Sequence, residues 1–217
     1  MQTGEAVTIV RGEEELLART ARLFAAATDV ACAANDLFTW EATHRSEGLS
    51  ASHPPRDGAT VRKVYRSGVL LDPVATRRLE QLRDQHGAQV RLTTDEINET
   101  IVLDRRVAIL AGDVRAGRRS YSVITQPEAV QGVMSLFDAA WRSATDLAVF
   151  DARIAEIRAM APQVLDLLGQ GVKDETAARA MGMGVRTYRR RVAELMAALG
   201  ATSRFQAGVR ARELGLV

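Results

Sequence analysis

Cysteine is all but absent: Cys32 is the single one among 217 residues. One thiol excludes an internal disulfide framework and any multi-cysteine zinc site, and it suits a reducing compartment. His44, His53 and His86 stand in polar surroundings without metal-ligand spacing, so no metal and no cofactor is expected. No run approaches 18 consecutive apolar residues, so no membrane span is expected either. The first residues, MQTGEAVTIVRGEEE, lack a basic start followed by an apolar core, which argues against a secretory signal and for a cytoplasmic protein. Lysine is scarce too. Of 29 basic residues only Lys63 and Lys173 are lysines, and the other 27 are arginines. An arginine and alanine bias is the usual mark of a GC-rich genome, so it says little by itself about arginine chemistry. What remains, 47% hydrophobic and 26% charged, is an ordinary globular mixture. The length suffices for one large domain or two small ones.

The charge is unevenly placed. Gln163–Val217 carries nine basic residues against five acidic ones, a net of +4, whereas the preceding 162 residues carry 20 against 22. A near-neutral front joined to a basic tail points to a polyanion-binding module at the C-terminal end.

Hydrophobic periodicity organises the front. Short β-type runs at Ala6–Val10, Val30–Ala34, Thr60–Tyr65, Ala88–Leu92, Thr100–Leu103, Arg106–Leu110 and Tyr121–Thr125 alternate with helical patterns at Glu13–Thr28 and Pro73–His86. Arg115–Arg119 reads as a basic turn, and Asn35–Asp57 as a long polar loop. This pattern predicts an α/β domain, a mixed sheet with helices, over residues 1–126. Pro127 opens a helical stretch through Leu136, Phe137, Trp141, Leu147, Ile154 and Met160, a connector over 127–160. It is either one helix or two, because Ser143–Asp146 offers a second cap. It either packs on its own domain or mediates dimerisation.

Residues 161–217 carry the sharpest pattern. A short apolar helix around Val164–Leu168 stops at Gly169 and Gly171, Asp174 stands as an N-cap before Glu175–Met181, and Gly182-Met183-Gly184 makes a tight turn. Val185–Leu199 forms a longer helix, and Ser203 caps a last one to Leu214. In the Val185–Leu199 helix, Tyr188, Val192, Leu195, Met196 and Leu199 fall on one stripe that must face a core. Arg186, Arg189, Arg190 and Ala193 fall on the opposite face, with Thr187 and Arg191 beside it. Glu194 is the one acid between Val185 and Arg212. A solvated face normally mixes signs, so an arginine face of this kind points to double-stranded DNA. Guanidiniums match guanine O6/N7 and phosphate forks.

The stretch VLDLLGQGVKDETAARAMGMGVRTYRRRVAELMAALGATSRFQAG resembles the LuxR/NarL-type DNA-binding domain. The resemblance implies an all-α four-helix helix-turn-helix domain, a recognition helix at 185–199, and homodimers on repeated half-sites. By position it places Arg189 and Arg190 against bases and Thr187 and Arg191 near the DNA backbone, with Lys173 as a further phosphate contact. Gly184 replaces the family's capping Ser or Thr, and Ala193 stands where a family member offers a base-reading lysine.

The front, about Glu5–Asp146, is similar to the phospholipase D-like domain that precedes such modules in actinobacterial regulators. Catalytic members carry His-x-Lys-x4-Asp. Counting back from Asp104, those places hold Ile97 and Glu99, which neither attack phosphorus nor bind phosphate, so no catalytic residue is expected. A phosphorylation receiver is not expected, because Val10 and Tyr65 are followed by Arg11-Gly12 and Arg66-Ser67 rather than acids. Asp36, Trp40 and Glu41 open the long loop and offer an aromatic wall with two carboxylates for a small-molecule effector; the alternative is that Phe38 and Trp40 are core. The expected function is a non-enzymatic, sequence-specific transcriptional regulator. The competing expectations are a degenerate phosphodiesterase and a partner-recruiting protein, each anchored to nucleic acid by its tail.

Overall fold

The structure, a computed structural model, describes residues 6–37, 40, 58–115 and 117–217. In chain order they form β1 (Val7–Arg11), α1 (Glu13–Ala26), β2 (Asp29–Ala34), β3 (Thr60–Arg66), a 3-10 turn (Ser67–Leu71), α2 (Pro73–His86) and β4 (Gln89–Thr93). There follow β5 (Thr100–Leu103), β6 (Val107–Arg115), β7 (Arg118–Ile124), α3 (Pro127–Ser143), α4 (Leu147–Gly169), α5 (Asp174–Ala180), α6 (Val185–Ala198) and α7 (Arg204–Glu213). They divide into two compact units. The first comprises 1–65, 81–91 and 97–144, the second 66–80, 92–96 and 145–217.

The first unit is built on a mixed sheet with helices. The strands run in the order β1-β7-β6-β5-β2-β3-β4. β2 and β3 are parallel, with Asp29 opposite Thr60 and Ala34 opposite Tyr65, while β5, β6, β7 and β1 add antiparallel. Alternation sends Ala31, Ala33, Val64, Val102, Ala108 and Ile124 to one face, where Val130, Met134 and Phe137 of α3 cover them. The alanines of β2 leave room for that helix. Each large side chain buried there stabilises the fold by about 1.5–3 kcal/mol. β6 runs five residues beyond the expected Leu110, to Arg115, and pairs with β7 from Arg118. Its outer half, Ala111–Arg115, is largely solvent-exposed and carries no apolar alternation, which is why the sequence shows no strand beyond Leu110 and only a turn at Arg115–Arg119.

The second unit is mostly helical. Ser143 ends α3 and the Asp146 carboxylate caps α4 by accepting from the Ala148 N–H at 2.9 Å, so the helical stretch after Pro127 is two helices. α4 then continues to Gly169 and absorbs the short helix expected at Val164–Leu168. Pro162 inside it removes one helical hydrogen bond. The buried stripe Leu147, Ile154, Ala161, Leu165 runs unbroken past the proline and outweighs that loss. α5, a turn and α6 follow, and Ser203 caps α7 by accepting from the Gln206 N–H at 3.1 Å. The 3-10 turn belongs to this unit. Ser67 Oγ donates to the Ala198 carbonyl at 2.6 Å, and the Arg66 guanidinium reaches the carbonyls of Leu199 and Gly200 at 3.5 Å, so the C-terminus of α6 is closed by the last residue of β3 and the first of the 3-10 turn. Gly200 stands at φ +61, and a Cβ there would meet Thr94 O at 2.9 Å as well as the Arg66 guanidinium. Only glycine satisfies both the turn and the close approach.

Candidate nucleic-acid interface

Helix α6 sorts its residues as the periodicity predicts. Tyr188, Val192, Leu195 and Leu199 are buried. Arg186, Arg189, Arg190 and Ala193 are exposed together on the other side, with Thr187 and Arg191 half-buried at its margin. Gly184 holds the N-cap position in extended backbone without a side-chain cap. The turn before it, Met181–Gly184, reverses the chain through Gly182 at φ +64. Lys173 is exposed at the N-cap of α5.

The arginines differ in how they are held. Arg189 Nε donates to Asp174 Oδ2 at 2.7 Å, and its Nη2 lies 3.4 Å from Glu175 Oε1. Arg190 lies 3.8 Å from Glu194 along its own helix. Arg191, 20% exposed, donates to Glu194 at 3.0 Å and to Glu156 of α4 at 2.7 Å, an arrangement that ties α6 to α4. Among the described residues neither Arg186 nor Lys173 makes an ion pair. Asp174 is not the cap its position suggests. Its carboxylate bridges two helices instead, with Oδ2 on Arg189 of α6 and Oδ1 on Arg204 of α7 at 2.8 Å. The hydrogen bonds from Arg204 and then Arg189 hold the Asp174 carboxyl below the usual carboxylate range. Nothing local in the sequence signals this bridge, because its partners lie 15 and 30 residues away.

The first unit places the remaining candidates. Ile97 packs against the core cluster beside α3, and Glu99, with a side chain 9% exposed, pairs with Arg119 at 2.5 Å. Asp104 accepts from the Thr28 N–H at 2.8 Å, the Thr28 hydroxyl at 3.0 Å and the Asp29 N–H at 2.9 Å. Partial burial raises its carboxyl, and these bonds together bring it below the ordinary value. Trp40 is buried. It donates to the Ala33 carbonyl at 3.3 Å and lies 5.9 Å from the Tyr121 ring, so it serves the core. Asp36 is half-buried, and Glu41 lies outside the described residues. Burial, eased by Lys63 and reinforced by Glu99, pushes the Cys32 thiol up to about 11, which keeps it from acting as a nucleophile.

No family model matches the chain. It is 30% identical over 161 residues to the bialaphos biosynthetic pathway regulatory protein of Streptomyces hygroscopicus, covering 74% of this chain. The chain spans 62% of that relative's length. Solved structures similar at low identity include the following three. TrmBL2, an archaeal chromatin protein with a novel mode of DNA binding, gives a TM-score of 0.47 at 14% identity over 67% of this chain and 56% of its own. Nuc of Salmonella typhimurium, a phospholipase D family member, gives 0.48 at 12% over 64% and 96%. NucT of Helicobacter pylori gives 0.48 at 12% over 64% and 99%. Among the described residues no helix is long and apolar enough to cross a membrane.

Proposed function

We propose that this protein is a sequence-specific, DNA-binding transcriptional regulator of the LuxR/NarL type. Its 161–217 segment acts as a helix-turn-helix domain, 127–160 as the connector and 1–126 as a non-catalytic regulatory domain of phospholipase D-like ancestry. α5 and α6 form the helix pair, and α6 enters the major groove. The observation that carries the reading is the exposed face of α6, where Arg186, Arg189, Arg190 and Ala193 stand together opposite a buried apolar stripe. Arg189 and Arg190 read base edges, while Lys173, Thr187 and Arg191 touch phosphates, Arg191 sharing its guanidinium with Glu156 and Glu194. The similarity to a pathway regulatory protein supports a regulator over an enzyme. So do Ile97 and Glu99, which occupy the places of the nucleophile and the phosphate-binding lysine and are taken up by packing and by Arg119. Pairing two modest half-site affinities in a cytoplasmic homodimer supplies tight binding, and an effector held by the front domain supplies control.

A DNA titration tests this reading. Wild-type protein on its own upstream region, at two salt concentrations, is expected to bind selectively and to weaken steeply as salt rises. Arg189→Ala is expected to cost about 1–3 kcal/mol and to relax one base position. The Arg189→Ala/Arg190→Ala pair abolishes selectivity. Binding that is equally strong to unrelated duplexes, or unaffected by the double substitution, overturns the reading.

A further inference from the structure

Arg189 and Arg190 are neighbours on one face, yet only Arg189 is gripped from another helix. Its side chain is 59% exposed, and an exposed ion pair of this sort adds little to stability. Asp174, 13% exposed and already bound to Arg204, does not need a second arginine to be satisfied. The pairing therefore looks toward the arginine. A long side chain in solvent samples many rotamers, and fixing it before a ligand arrives removes the entropy loss from the binding step. A guanidinium has five N–H donors. Asp174 takes the one on Nε, and Glu175 lies 3.4 Å from Nη2, which leaves donors on both terminal nitrogens, enough for a two-pronged contact. Guanine offers the matching pair of acceptors, O6 and N7, in the major groove. The two carboxylates also repel phosphates, so an arginine held this way is a poor backbone contact and a good base contact.

We infer that Asp174 is a positioning residue that makes Arg189 a guanine reader and lowers affinity for unrelated DNA. This rests on the DNA-binding reading above. It assigns the two exposed arginines different work. Arg189 specifies one guanine per half-site, whereas Arg190, without an anchor on another helix, contributes affinity with weaker base preference. Asp174 acts here through charge and orientation together. Removing it frees Arg189 to meet phosphates and takes a negative charge from the DNA-facing side.

The test uses the full chain and duplexes selected from a randomised pool. Binding is then measured on the selected site, on the same site with each guanine replaced in turn, and on an unrelated duplex. Wild type is expected to lose affinity sharply at one guanine. Asp174→Asn is expected to reduce discrimination at that guanine about tenfold, within the range a bidentate pair supplies, while binding the unrelated duplex more tightly than wild type. Arg189→Ala abolishes discrimination at the same position, and adding Asp174→Asn to it changes nothing further there. Arg204→Gln breaks the other half of the bridge and is expected to leave the base profile unchanged. Asp174→Asn weakening every duplex alike, or Arg204→Gln flattening the profile as much as Asp174→Asn, shows a purely structural role and overturns the inference. Should Asp174→Asn fail to fold, Glu175→Gln and Arg204→Gln still decide it. The first should raise unrelated binding and the second should not alter the guanine preference; the opposite pattern refutes the inference. Wild type that selects no site at all overturns the DNA-binding reading itself, before any variant is made.

Discussion

Asp104 has a structural role that its own turn defines. It stands at φ +49, followed by Arg105 at φ +55, a left-handed pair that turns the chain between β5 and β6. Its carboxylate closes that turn onto the chain before β2 through three bonds from Thr28 and Asp29. Replacing it by alanine removes the acceptor and places a residue poorly suited to positive φ there. Asp104→Ala is expected to destabilise the protein by about 1–2 kcal/mol at pH 7. Asparagine, which keeps one oxygen and tolerates the turn, is expected to cost less. The carboxyl lies below its ordinary value when folded, so its contribution is present above the unfolded pKa and is lost as pH falls through the folded one. Urea unfolding of wild type and Asp104→Ala should therefore differ most at neutral pH, and the difference should shrink as pH falls below about 4, down to the part owed to alanine at positive φ. A difference that persists unchanged at pH 3, or none at pH 7, removes the carboxylate from this role. The sequence showed Asp104 as the surviving member of a catalytic pattern. The three donors that explain it come from a segment about 75 residues earlier, and no spacing rule connects them.

At the scale of elements, much was legible where a period is long and one-sided. Helix α6 repeats its apolar residues over several turns, so both its buried stripe and its arginine face were readable from spacing alone. The caps Asp146 and Ser203 were readable because capping is local. The outer half of β6 was not, since a solvent-exposed hairpin has no core pattern. The separate helix expected at Val164–Leu168 is part of α4 instead, because the buried stripe of α4 runs on past Pro162. The C-terminus of α6 was also illegible. Its last carbonyls carry the negative end of the helix dipole and are met by Ser67 and Arg66, residues 131 and 133 positions distant from Ala198 and Leu199. Ser67 is buried, so Ser67→Ala leaves the Ala198 carbonyl short of a donor. The expected cost is about 1 kcal/mol, with faster amide exchange confined to the last turn of α6 and to α7. Unchanged exchange there, or a loss spread evenly through the protein, counts against a capping role for Ser67.

The whole molecule is not two beads on one linker. The chain changes units at 65/66, 80/81, 91/92, 96/97 and 144/145. The second unit thus takes two pieces, 66–80 and 92–96, from the part of the sequence that otherwise builds the sheet. These pieces are working parts of it. Beyond the cap on α6, a Cβ on Gly68 would press on Leu214, Arg158 of α4 donates to the Leu70 carbonyl, and Arg210 of α7 pairs with Glu96 at 2.6 Å. Val69, Leu70, Leu71 and Leu92 are buried. A fragment that begins at residue 145 keeps α4 to α7 and the arginine face but loses every one of these contacts. It uncovers apolar surface, at about 25 cal/mol for each Å² returned to water, and leaves the α6 carbonyls and Arg210 without their partners. We expect such a 145–217 fragment to unfold at a lower temperature than the full chain and less cooperatively. Its DNA affinity should recover in part when a stabilising osmolyte restores compaction. Circular dichroism melts of fragment and full chain, followed by titration on the same duplex, measure both effects. If the fragment melts as sharply and as high as the full chain, the two borrowed segments are ornaments on a self-sufficient domain. If it melts early while Ser67→Ala in the full chain shifts the melting curve only slightly, the stability resides chiefly in the buried leucines of the 3-10 turn rather than in the cap.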